Sequence, residues 1–159
     1  MNLKEFVQQN TLRCVIGAFV LGIIVVAGGM VMDKASASPK FCGTCHAMKH
    51  EAATHAMSTH ANVACVECHL PHENVAIYYM EKGQTGMHDT LHQVLNDYPV
   101  HIKISDHGRD IVNSNCLRCH SATMAAVHAG PMDANTDCLK CHRSVAHGSN
   151  HLEGGIKVE

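Results

Sequence analysis

The chain has 159 residues and a formal net charge of -2, with 15 His, 9 Cys and no Trp. The length suits one domain plus an appendage, and the charge excludes a nucleic-acid binder that works through a basic surface. Aliphatic residues are unevenly spread: only 21 of the 127 residues after Met32 are Leu, Ile, Val or Phe, below the roughly 20% at which a chain can usually build its own core. That remainder is either disordered or built around something other than side chains, and its cysteines decide between the two.

The first predicted element is Cys14 to Met32, 19 residues without a charge. At a rise of about 1.5 Å per residue it matches a hydrocarbon layer of about 30 Å. Lys4 and Arg13 precede the span, while Asp33 and Lys34 follow it. The positive-inside rule then keeps the amino terminus in the cytoplasm and exports the rest. Ala35-Ser36-Ala37 resembles an export-cleavage site, but the apolar stretch exceeds the usual signal core of about 7–15 residues. We therefore expect residues 1–33 to be a single-pass anchor in the inner (cytoplasmic) membrane, with the remainder in the periplasm.

The next elements are four copies of one motif. Cys42-Gly43-Thr44-Cys45-His46, Cys65-Val66-Glu67-Cys68-His69, Cys116-Leu117-Arg118-Cys119-His120 and Cys138-Leu139-Lys140-Cys141-His142 consume every cysteine outside the span. C-x-x-C-H attaches c-type haem: two thiols one helical turn apart add to the porphyrin vinyl groups, and the adjacent His sits under the iron. Zinc ribbons and exported disulfide frameworks do not require His in the fifth place every time. Four c-type haems are expected, and they supply the missing apolar interior.

Motifs beginning at 42, 65, 116 and 138 form two pairs, the sign of a duplicated unit. The expected divisions are a first dihaem unit at 34–73, an inserted segment at 74–110 and a second dihaem unit at 111–159. The expected fold is mainly α: one amino-terminal transmembrane helix, then a small loop-rich multihaem cytochrome c domain. Short helices should carry the motifs, with extended loops such as Ala129 to Asn135 between them.

Four irons take up to eight axial ligands. His46, His69, His120 and His142 offer four. Among the other histidines His60, His128 and His147 are best placed, each to reach a haem of another motif. The first motif continues as Ala47-Met48, and a thioether raises haem potential relative to bis-His. Met48 and His46 emerge on the same side, so one of them serves the first haem and its other face is a candidate open site.

The insertion mixes apolar, aromatic and titratable residues, as an interfacial segment does. Cys42 lies ten residues past the span, which puts the first haem near the membrane. Lys82 and Asp89 share a face if the chain is helical throughout, although Gly83 and Gly86 weaken that expectation. Asp89 is the candidate proton acceptor there, and Lys82 the candidate to orient or polarise the hydroxyl that gives the proton up.

Together these features resemble the membrane-anchored tetrahaem quinol dehydrogenases of the NapC/NirT family. The resemblance spans nearly the whole chain and rests on the anchor, the paired motifs, Cys45-His46-Ala47-Met48, Ser58-Thr59-His60, Cys68-His69-Leu70-Pro71 and Val145-Ala146-His147. It implies oxidation of menaquinol and delivery of electrons to an exported multihaem nitrite reductase. It also implies Met48 on the first haem, His60 and His147 as distal ligands of the fourth and third haems, and His128 or a partner-supplied group on the second. The competing reading keeps the quinol site but serves another periplasmic reductase, such as nitrate reductase. A membrane-anchored haem sensor is disfavoured because the cytoplasmic tail is too short for a signalling domain. A chain that itself reduces substrate at the first haem fits a membrane-side position less well than quinol does.

Overall fold

The computed structural model describes residues 2–99, 102–126 and 137–148. Among them every regular element is helical, and two units separate: residues 1–36 and residues 37–159. His128 and the Ala129 to Asn135 loop lie outside the described residues.

The first unit is α1 (Leu3–Gln9) and α2 (Thr11–Ser36). At about 1.5 Å per residue α2 spans about 39 Å, more than a bilayer core needs. No residue of α2 is buried against protein. A soluble core helix of this composition would be covered; α2 is long and apolar enough to cross a membrane.

The second unit runs α3 (Pro39–Cys42), a 3-10 turn (His46–Met48), α4 (Lys49–Ala56), α5 (Cys65–His69), α6 (Val75–Leu95), α7 (Asp106–Ala126) and α8 (Leu139–His142). Local chemistry sets its boundaries. The Ser38 side chain accepts from the Phe41 N–H, with Pro39 in the first turn of α3, an arrangement suited to a helix start. The Asn74 side chain accepts from the Ala76 N–H at 2.7 Å to start α6. Asn96 ends α6 in the left-handed region at φ 52°.

Two sequence expectations are revised here. The glycines do not interrupt α6, which is continuous across Gly83 and Gly86; a Cβ at either would meet open space. The motifs do not all sit on short helices. Cys116 to His120 lies inside the 21-residue α7, where a good cap-side acid, Asp106, and an absence of Pro let the helix run on.

Few apolar side chains are buried: Leu70 and Val112 form the core among the described residues. Directional polar contacts hold the helices instead. Buried Asn115 of α7 donates to the carbonyls of Cys68 at 3.0 Å and Leu70 at 2.8 Å. Arg118 donates to the Glu67 carbonyl at 3.0 Å and to its carboxylate at 2.8 Å. Losing the Asn115 donor would leave buried carbonyls unpaired, at about 1–3 kcal/mol each.

Asp137, which precedes the fourth motif, is gripped by Arg109 at 2.7 and 3.1 Å and by Asn113 at 3.1 Å. The Arg109 hydrogen bond holds the Asp137 carboxyl below the usual carboxylate range. Its folded pKa is therefore lower than its unfolded one, so the stabilisation is complete above the unfolded value and is lost as pH falls through the folded value. Asp137→Asn should melt below wild type near neutral pH, and thermal scans should show that gap closing as pH drops below the carboxylate range.

Candidate haem sites and a candidate quinol site

The cysteines of the second unit are all free thiols. Cys42 ends α3, Cys65 and Cys68 lie in α5, Cys116 and Cys119 in α7, and Cys141 in α8 with Cys138 just before it. Cys45 immediately precedes the 3-10 turn. The motifs adjoin one another in chain order. Cys42 and Cys65 share a side-chain hydrogen bond, which pulls Cys42 down to about 7 and pushes Cys65 up. Burial raises Cys68, with a further contribution from Cys119. Burial also raises Cys116, to about 11, with further contributions from Cys138 and Cys68. First-to-second, second-to-third and third-to-fourth neighbours are thus all present.

The first motif depends on close approach. A Cβ on Gly43 would stand 3.0 Å from the Ala52 Cβ and 3.1 Å from the Pro39 carbonyl. No flexible side chain is there to yield, so the motif turn and α4 meet only because position 43 is glycine. Beyond the turn His46 is exposed, and Met48 is half-buried.

The candidate distal histidines face other imidazoles. Two imidazoles bonded to one metal at about 2 Å each have ring centres about 6 Å apart. The His60 and His120 rings are 6.2 Å apart, and the His147 ring is 6.2 Å from His69 and 6.1 Å from His55. The resemblance implies His60 on the fourth haem and His147 on the third; the motif rings nearest them here are His120 and His69. His142 at the end of α8 is exposed.

Both candidates have one ring nitrogen already engaged. His60 Nδ1 is 3.1 Å from the Thr59 hydroxyl. His147 Nδ1 is 3.1 Å from the Glu51 carbonyl. Each is left with Nε2 for a metal, the arrangement that orients metal-binding histidines. His55, which the sequence gave no reason to single out, is only 6% exposed and its Nδ1 has no partner. His50 Nε2 is likewise buried without a partner. Burial lowers the pKa of His55, and desolvation, then the nearby His147 and His55, lowers that of His69, so both favour the neutral imidazole that metals bind. Free thiols in helical pairs, adjacent histidines and unpaired buried ring nitrogens fit c-type haem.

Helix α6 brings the remaining candidates to the first motif. Tyr78, Lys82, Thr85, Asp89 and Gln93 recur at helical spacing and share one face. At its end Gln93 accepts from the Ala47 N–H at 3.2 Å, within the first-motif turn. Lys82 and Asp89 both act electrostatically on Cys42, and Asp89 also on His69. The Lys82 ammonium lies 5.6 Å from the Tyr78 ring centre, and Tyr78 packs on His72 at 5.5 Å. Asp89 Oδ1 is 3.4 Å from His88 Nδ1. Sequence reasoning named Lys82 and Asp89 but missed Gln93, although its four-residue step from Asp89 placed it on the same face.

Comparison with known proteins follows the same lines. Residues 5–152 match the model of the NapC/NirT cytochrome c family, N-terminal region. The chain belongs to that family. It is 36% identical over 125 residues to the cytochrome c-type protein NrfH of Wolinella succinogenes, covering 77% of this chain and 70% of that protein. It is 34% identical over 136 residues to the cytochrome c nitrite reductase subunit NrfH of Nitratidesulfovibrio vulgaris, covering 86% and 84%. A probable tetrahaem c-type cytochrome of Nitrosomonas europaea is 25% identical over 134 residues, covering 78% and 58%. A chain in the crystal structure of the cytochrome c nitrite reductase NrfHA complex bound to the HQNO inhibitor matches with a TM-score of 0.79 and 31% identity, covering 92% of this chain and 98% of that one. This protein is accordingly a membrane-anchored c-type cytochrome.

Gly43→Ala tests the first motif directly. The forced contact costs about 1–3 kcal/mol of local packing, and the haem-to-protein ratio should fall by one haem's worth while the anchor still inserts.

Proposed function

We propose that this chain is the quinol-oxidising subunit of a nitrite reductase complex, taking electrons from menaquinol and passing them to an exported multihaem catalytic subunit. The observation that carries the reading is α6. One face of one helix presents Lys82 and Asp89 to the first motif, and Gln93 ties that helix to the motif's own turn. The names of the similar proteins supply the partner: nitrite reductase subunits and the NrfHA complex.

Four c-type haems are attached through the eight motif cysteines, a number supported by the four motifs and by the tetrahaem relative. His69, His120 and His142 are proximal ligands. Met48, more buried than His46, is favoured for the first haem. His60 reaches from the first half of the domain to a haem of the second, and His147 is the other distal ligand. The second haem takes its distal ligand from His128 or from the partner, unless His147 serves it.

Bound haem supplies one-electron acceptors; the chain's own residues handle the protons. Oxidation of one quinol releases two electrons and two protons. Asp89, exposed on α6, takes the two hydroxyl protons in turn at a carboxylate oxygen and passes each to solvent, while Lys82 polarises the hydroxyl it faces. The opposite face of α6 bears Ile77, Met80, Met87, Leu91 and Val94, all exposed and spaced three or four residues apart with Gln84 among them. Cys42 follows Ser36 by only six residues of chain. This apolar stripe fits the headgroup layer of the bilayer, where a lipid-soluble quinol arrives. The haem domain then lies on the periplasmic side.

Asp89→Asn should lower quinol oxidation by about 10²-fold or more with the haem spectrum intact. Unchanged turnover at saturating quinol would remove Asp89 from the mechanism. Co-purification with a multihaem nitrite reductase is the expected result for the partner, whereas transfer to nitrate reductase alone would assign the chain to the competing reading.

A further inference from the structure

Two distal histidine candidates are held by chemically different groups. His60 Nδ1 meets the neutral Thr59 hydroxyl at 3.1 Å. His147 Nδ1 donates to the Glu51 carbonyl at 3.1 Å, and the Glu51 carboxylate lies 3.3 Å away beside it. The Glu51 side chain is only 16% exposed and that of His147 32%, so solvent screens this charge less than a surface pair. Glu51 sits in the first turn of α4, three residues past Met48, and reaches a histidine 96 residues further along the chain.

We propose that Glu51 is a positioning residue that fixes the ring orientation of His147 through its carbonyl and holds the haem bound by His147 at a lower potential through its carboxylate. The inference rests on His147 being a distal ligand. The physical case has two parts. A hydrogen bond to Nδ1–H fixes the tautomer, presents Nε2 to the metal and raises ligand basicity. A negative charge beside the ligand favours Fe(III) over Fe(II), because the ferric centre carries one more positive charge. Bound haem would supply a one-electron couple; Glu51 itself makes and breaks no bond and moves no proton. His60, held by a hydroxyl, lacks this charge. The two haems therefore differ in potential through their ligands' partners, even where both are bis-His.

Glu51→Gln keeps the carbonyl contact and removes the charge. In the full-length holoprotein, spectroelectrochemical titration should show one low-spin haem shifted positive. At an ambient potential near its midpoint, the oxidised-to-reduced ratio of that haem should fall about tenfold, which is 59 mV for a one-electron couple. Glu51→Asp, which restores the charge, should return the potential toward wild type. Electron paramagnetic resonance should show altered g values for the same haem in Glu51→Gln, a change that a merely structural residue would not confine to one centre. His147→Ala identifies that haem by converting it from low spin to high spin. If His147→Ala leaves every low-spin signal in place, the ligand assignment fails, and the Glu51 proposal with it. If His147→Ala removes one signal but Glu51→Gln shifts no potential, the ligand assignment stands and the role of Glu51 is overturned.

Discussion

The structure depends on one shortage. The second unit has almost no apolar interior of its own; among the described residues Leu70 and Val112 stand nearly alone as buried aliphatics. Hydrophobic burial is non-directional and forgiving, and a domain that lacks it has to specify geometry by other means. Here polar clamps lie next to the haem-binding motifs. Gln93 takes the amide of Ala47 beside the first motif. Asn115 and Arg118 hold the carbonyls of Cys68 and Glu67 within the second. Arg109 and Asn113 hold Asp137 just ahead of the fourth. Each clamp holds a residue within or beside a motif, so the network positions the cysteines proposed to carry haem. Asn115 and Arg118 belong to α7, which itself carries the third motif, so placing one attachment site places another.

What the sequence made legible was local chemistry. An uncharged span of 19 residues and four C-x-x-C-H repeats declare themselves because their meaning depends only on neighbours in the chain. Composition also spoke correctly, once the aliphatic residues of the anchor were separated from the rest. The less legible features depend on distance in sequence. Gln93 meets Ala47 across 46 residues and Glu51 meets His147 across 96; no spacing rule reaches that far. Gly83 and Gly86 misled in a different way. Glycine propensity measures the cost of helix in isolation, whereas α6 is capped at both ends by asparagines and fastened to the first motif by Gln93, to α7 through Glu81 and His107 at 3.1 Å, and to His72 through Tyr78. Tertiary contact outweighed two unfavourable residues.

The histidines show why a ligand set is harder to read than an attachment site. A motif His is covalently next to its cysteines, so the sequence alone pairs it with them. A distal His is known only through what it faces. His60 and His147 stand out by placement in sequence, but what they face, His120 for one and His55 and His69 for the other, is visible only in the folded chain. His55 carried no signal at all in a chain with 15 histidines, and only its burial and unpaired nitrogen distinguish it.

The two faces of α6 join these points to function. A quinol substrate is apolar in its tail and gives up protons from its head, so a site for it has to be wet on one side and lipid-compatible on the other. A regular helix meets that demand without extra structure, because residues at three- and four-residue steps stay on one side for its full length. Lys82, Asp89 and Gln93 take the side toward the first motif, while Ile77, Met80, Met87, Leu91 and Val94 take the other. A break at the glycines would have rotated Asp89 away from Lys82 and split the apolar stripe in two. Continuity of this one helix therefore keeps Lys82, Asp89 and Gln93 together on one side and the apolar stripe unbroken on the other, which is what the proposed quinol site requires.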